Sequence, residues 1–157
     1  LVGASTGLVA GLVAITPVSV FVSTWSAVII GLLVRPVCFY AIAIVKHKLG
    51  YDDALDAFGC HGVGGIFGGI VTGLFTTPEF ALDPDNIGLI YGNPRLFLVT
   101  IAAIVFTIVW SAGMTFVLIK GISFFMPLRV SDREEAIGLD NTEHGETAYP
   151  TFMGLDS

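Results

Sequence analysis

Asp52-Asp53-Ala54-Leu55-Asp56-Ala57-Phe58-Gly59-Cys60-His61-Gly62-Val63-Gly64-Gly65-Ile66-Phe67-Gly68-Gly69 is the stretch on which the fold turns. Carboxylates stand at its start, and no lysine, arginine or glutamate follows until Glu79. The span it opens, from about Asp52 to Phe75, is apolar, glycine-rich and as long as the ~20 residues that a membrane helix needs. One histidine, His61, sits inside it beyond the opening carboxylates. A charged group within a membrane span costs about 2.5 kcal/mol or more, so such a residue usually faces a pathway or a partner.

The rest of the chain agrees with a membrane setting. Its 157 residues have a mean hydropathy of +0.85, with 54% apolar and 13% charged residues. A soluble domain carries about 25% charged residues. The expected fold class is therefore an all-α integral membrane protein. The net charge of -6 is unevenly spread. Residues 127–157 hold two arginines against seven carboxylates, and the apolar part is close to neutral. No basic face exists for nucleic acid, and the acidic end reads as a solvated tail. Cys38 and Cys60 lie in apolar runs without metal-ligand spacing, and read as small buried residues. No signal peptide opens the chain. It starts at Leu1 inside an apolar pattern, which suggests the C-terminal part of something longer.

Four spans are expected within residues 1–126, at about 1–16, 25–45, 52–75 and 95–125, with 127–157 as a cytoplasmic tail. Thr16-Pro17, Gly50 and the loop bearing Thr77-Pro78, Asp83-Pro84 and Gly92-Asn93-Pro94 separate them. The fourth span exceeds what a ~30 Å bilayer core requires and is expected to tilt or to extend beyond it. Lys46 and Lys48 close the second span, and Lys120 and Arg129 flank the end of the fourth. The intervening loop is acidic, so the lysine side is assigned to the cytoplasm. Arg35-Pro36 sits near the middle of the second span. It contacts either a substrate or ion, or a carbonyl or carboxylate at a helix or subunit contact, and the second reading is favoured.

Gly64 with Gly68, Gly65 with Gly69, and Gly69 with Gly73 form small-xxx-small pairs, so residues 62–73 are expected to make a tight helix contact. His61 is expected to line a solute path, because neutral imidazole both donates and accepts a hydrogen bond and can pass a proton. A metal centre is the rival and is disfavoured: it needs three or four ligands, and no HxxxH or CxxC accompanies Cys60 and His61. Asp52 and Asp53 read as helix caps. Asp56, one turn deeper, either serves the neighbouring helix breaks or lines a pore exit.

At these residues the chain resembles the ammonium transporter family, the Amt/Mep/Rh proteins, and its Amt branch in particular. The matching stretches are Gly3-Ala4-Ser5-Thr6-Gly7 running into Gly11 to Pro17; Asp53-x-x-Asp56-x-Phe58-Gly59-x-His61-Gly62-x-x-Gly65; Thr107-Ile108-Val109-Trp110-Ser111; and Leu128-Arg129-Val130, Gly138-Leu139-Asp140, Glu143-His144-Gly145-Glu146 and Ala148-Tyr149. Their order and spacing are those of the family's last four membrane helices and C-terminal region. The resemblance implies a partial ammonium-transporter helical bundle, containing the C-terminal helices only. His61 matches the second of the family's two pore histidines. The first histidine, the outer cation site and the phenylalanine gate belong to helices outside these residues, which are therefore not expected to form a complete pore. Arg35-Pro36 departs from the small residues usual near that position.

The resemblance further implies transmembrane transport of ammonium or ammonia through a narrow hydrophobic pore, in a homotrimer in the plasma membrane, with no enzymatic activity and no cofactor or metal. An ammonium sensor, or a non-conducting subunit of the same fold, is the alternative. Gly138, Thr142, His144 and Tyr149 are the candidate regulatory residues of the tail, where a PII-type signalling protein docks in prokaryotic relatives. Thr142 sits where plant relatives carry a phosphorylation-controlled threonine.

Overall fold

The computed structural model describes residues 2–146, and the chain divides into two compact units, Leu1–Trp110 and Ser111–Ser157. Helices dominate, as the apolar runs predict. Helix α1 is Val2–Ile15, α2 is Thr24–Leu49, α3 is Phe58–Phe75, α4 is Pro94–Phe125 and α5 is Asp132–Ile137. By length and composition α2, α3 and α4 can each cross a membrane. Helix α1 has 14 residues, and at 1.5 Å per residue it covers about 21 Å of a ~30 Å bilayer core.

The helix ends have local causes. Ser23 caps α2, its hydroxyl accepting the Ser26 N–H at 3.3 Å. The helix carries Pro36, widens into a π-helical turn over Ala41–Val45, and stops at Gly50, whose φ of 63° suits a residue without Cβ. Asn93 caps α4, accepting the Arg95 N–H at 2.9 Å, and Pro94 takes the first helical position, where no N–H is needed. Helix α3 starts at Phe58, later than the start near Asp52 expected for this span. The residues just before it turn instead, because Asp56 adopts a left-handed φ of 55°.

In the first unit the core joins α1, the turn after it, α2 and α3. Ala10, Ala14 and Val18 recur every four residues, and so do Ser26, Ile30, Val34 and Cys38; Val71 of α3 completes the buried set with Val22. Residues four apart share one helix face, so the two rows meet as ridges. The glycines of α3 let its backbone approach closely. A Cβ at Gly68 would lie 2.7 Å from the Ala14 carbonyl oxygen, and one at Gly73 would lie 2.8 Å from Phe97 Cα. One expectation is corrected here: Gly65 faces open space, with nothing within 4 Å of its would-be Cβ, so the tight contact runs through Gly64, Gly68, Gly69 and Gly73. Arg35 lays its side chain over Gly7 of α1, with Nε 3.5 Å from the position a Cβ would take there.

In the second unit, residues 111–125 are helical and exposed. Helix α5 opens with a capping box: Ser131 Oγ accepts the Glu134 N–H, and the Glu134 carboxylate accepts the Ser131 N–H at 2.8 Å. A short π-helical turn, Asp140–His144, follows and ends at Gly145 in the left-handed region.

Candidate functional site

His61 lies in the first turn of α3, and that turn is π-helical over Phe58–Gly62. Such wide turns are rare and occur frequently at functional sites. The sequence permits one here because Gly59, Cys60 and Gly62 add little bulk to it. The imidazole is exposed in this chain and opens onto a cavity of about 450 Å³, lined also by Ser5, Thr6, Val9, Leu55, Ala57 and Cys60. The lining is mostly apolar, with the hydroxyls of Ser5 and Thr6 as its other polar side chains. Sequence reasoning did not single out Ser5 and Thr6 as site residues. The available signal was a hydroxyl pair inside an otherwise apolar helix.

Asp53 and Asp56 stand immediately before this turn. The Asp53 carboxylate accepts the N–H of Ala57 at 2.8 Å and that of Phe58 at 2.9 Å. It thereby satisfies two of the amide donors that a helix start leaves unpaired. Asp56 Oδ1 pairs with Lys46 Nζ at 2.7 Å, and the same ammonium donates to the Asp53 carbonyl. The Asp56 carbonyl accepts the Cys60 N–H at 2.9 Å. In the sequence Lys46 reads only as a charge marking a membrane face. In the structure it is also the cation that binds the end of α2 to the approach of α3. Sequence reasoning missed this because the pair spans ten residues and a loop.

Cys38 and Cys60 are free and buried. Among the described residues no group of three His, Cys, Asp or Glu side chains converges on a point that could hold a metal ion. The tail candidates lie in the second unit. Gly138 has a φ of 104°, and its carbonyl accepts both the N–H and the hydroxyl of Thr142, at 3.2 and 3.1 Å. His144 closes the short π-helical turn. Tyr149 lies outside the described residues.

Membrane-length apolar helices, packed through glycine and bearing an imidazole on a mostly apolar cavity, define an all-α integral membrane protein. The chain belongs to the Ammonium Transporter Family, whose model matches residues 1–149. It is 50% identical over 153 residues to the ammonium transporter of Bacillus subtilis (strain 168), covering 98% of this chain and 38% of that protein. It is 46% identical to the ammonium transporter of Aquifex aeolicus (strain VF5), covering 94% and 34%. Among solved structures it superposes on Saccharomyces cerevisiae Mep2 with a TM-score of 0.78 at 33% identity, covering 95% of this chain and 34% of Mep2. Candida albicans Mep2 gives 0.73 at 29% identity, covering 82% and 29%. The chain therefore spans roughly a third of the length of the relatives it matches, which are named as transporters and not as enzymes.

Proposed function

We propose that this chain forms part of a transporter that carries ammonium or ammonia across the plasma membrane, with His61 on the solute path. The observation that carries the reading is the exposure of the His61 imidazole to the cavity beside Ser5 and Thr6. A bare ammonium ion leaving water for such a lining bears a heavy desolvation cost, whereas neutral ammonia bears a small one. Neutral imidazole accepts a hydrogen bond from the solute and can pass a proton. Potassium has no proton to give, so a path that requires this exchange excludes it by chemistry as well as by size.

The apolar exterior supports the membrane assignment: Leu98, Val105, Phe106, Val109 and Trp110 of α4 are all exposed. The lysine-bearing ends support a cytoplasmic position for the chain from residue 127 onward. A homotrimer, and a PII-type partner at the cytoplasmic face, complete the reading on the strength of the family. The intact protein, reconstituted into liposomes, is expected to take up labelled methylammonium in a manner competed by ammonium. Absence of any competed uptake from well-inserted protein would overturn the proposal.

A further inference from the structure

We propose that Lys46 is a positioning residue for His61, acting through Asp56 and the approach to α3; this rests on the reading of His61 as a pore residue. Lys46 Nζ lies 2.7 Å from Asp56 Oδ1 and also donates to the Asp53 carbonyl, so one ammonium holds both ends of the turn that precedes α3. Both side chains are partly shielded, at 22% and 32% exposure, so water screens the pair less than one in open solvent.

The turn it holds needs holding. Asp56 has a φ of 55°, and among the described residues no other non-glycine has a positive φ. Such a backbone persists where its surroundings fix it. From there the geometry passes directly to the histidine. The Asp53 carboxylate takes the amides of Ala57 and Phe58, and the Asp56 carbonyl takes the amide of Cys60, the residue before His61. A shift of Asp56 therefore moves the turn that aims the imidazole.

The neighbouring helix is shaped to match. The π-helical turn of α2, Ala41–Val45, immediately precedes Lys46. One extra residue in a turn rotates everything beyond it by about 100° around the helix axis. Lys46 reaches Asp56 from that rotated register. The two wide turns also touch, because Ile42 of the first lies against Gly59 of the second so closely that a Cβ at Gly59 would collide with it. The placements of Lys46 and His61 thus arise from one packed pair of irregular turns.

The test is a double-mutant cycle on the intact protein in liposomes, read as ammonium uptake and as ammonium-over-potassium selectivity, both per inserted molecule. Lys46→Met is expected to lower uptake about tenfold, since small misplacements of a reacting group cost one to two decades. In a His61→Ala background the same change is expected to have no further effect on selectivity, because the two residues act as a unit. Asp56→Asn tolerates the left-handed backbone yet loses the charge, and is expected to reproduce a smaller, equally non-additive loss even if Lys46→Met assembles poorly. Losses that add to those of His61→Ala, or that merely track the amount of folded protein, would overturn the proposal. So would wild-type flux in both Lys46→Met and Asp56→Asn while His61→Ala is impaired. A silent His61→Ala would overturn the pore reading itself, and this inference with it.

Discussion

Asp53 commits its carboxylate to two backbone amides, those of Ala57 and Phe58. Asp53→Ala strands both donors, and loss of a cap costs about 1 kcal/mol. The intact protein is expected to melt at a lower temperature by an amount that Asp53→Asn largely restores. Glu134 works on the same principle at the start of α5. Hydrogen bonds from the hydroxyl and then the amide of Ser131 hold its carboxyl below the usual carboxylate range. A depressed folded-state pKa stabilises the helix above the ordinary glutamate value and ceases to do so as pH falls through the lowered one. Amide-exchange protection over residues 131–138 should therefore fall on acidification. Glu134→Gln, which keeps the capping box without the titration, should remove that dependence. At this scale the sequence draws attention to His61 because it is the one histidine in its apolar run; its place on a solute path is a proposal. The pairing of Lys46 with Asp56 was not legible, because it is set by two wide helical turns that no periodic pattern announces.

The elements meet through glycine, and the structure separates glycines that the sequence leaves equivalent. Gly68 presses against the Ala14 backbone and Gly73 against that of Phe97, while Gly65 meets nothing. Adding a methyl group where backbone must move costs ~1–3 kcal/mol. Gly68→Ala and Gly73→Ala are expected to lower the thermal stability of the purified intact protein clearly, and more than Gly65→Ala, whose Cβ meets nothing within this chain. Equal effects at all three positions would contradict this packing. The spacing of four made a close contact legible; which glycine faces which neighbour depends on rotation of α3, and its π-helical first turn resets that rotation. The same region explains why α3 starts at Phe58. Hydropathy does not distinguish a capped loop from a helix when both contain Ala, Leu and Asp.

For the whole molecule, family membership and the all-helical fold were legible in motifs that run from Gly3 to Tyr149. Regulation by the tail is an expectation with a local physical basis. Thr142 donates its hydroxyl to the Gly138 carbonyl, and Gly138 occupies a φ of 104° that disfavours any side chain. Thr142→Asp replaces that donor with an acceptor facing a carbonyl, and Gly138→Asp strains the backbone. Both are expected to lower transport by the intact protein without lowering its amount in the membrane. If both, and deletion of residues 131–157, leave uptake normalised to surface protein unchanged, the tail does not regulate.

The whole reading turns on His61 standing on the solute path. Its most direct test is the ammonium and potassium flux of intact His61→Ala protein in liposomes, each normalised to inserted protein. Ammonium flux is expected to fall, or potassium to enter where the wild type refuses it. Wild-type ammonium flux together with wild-type exclusion of potassium would contradict it.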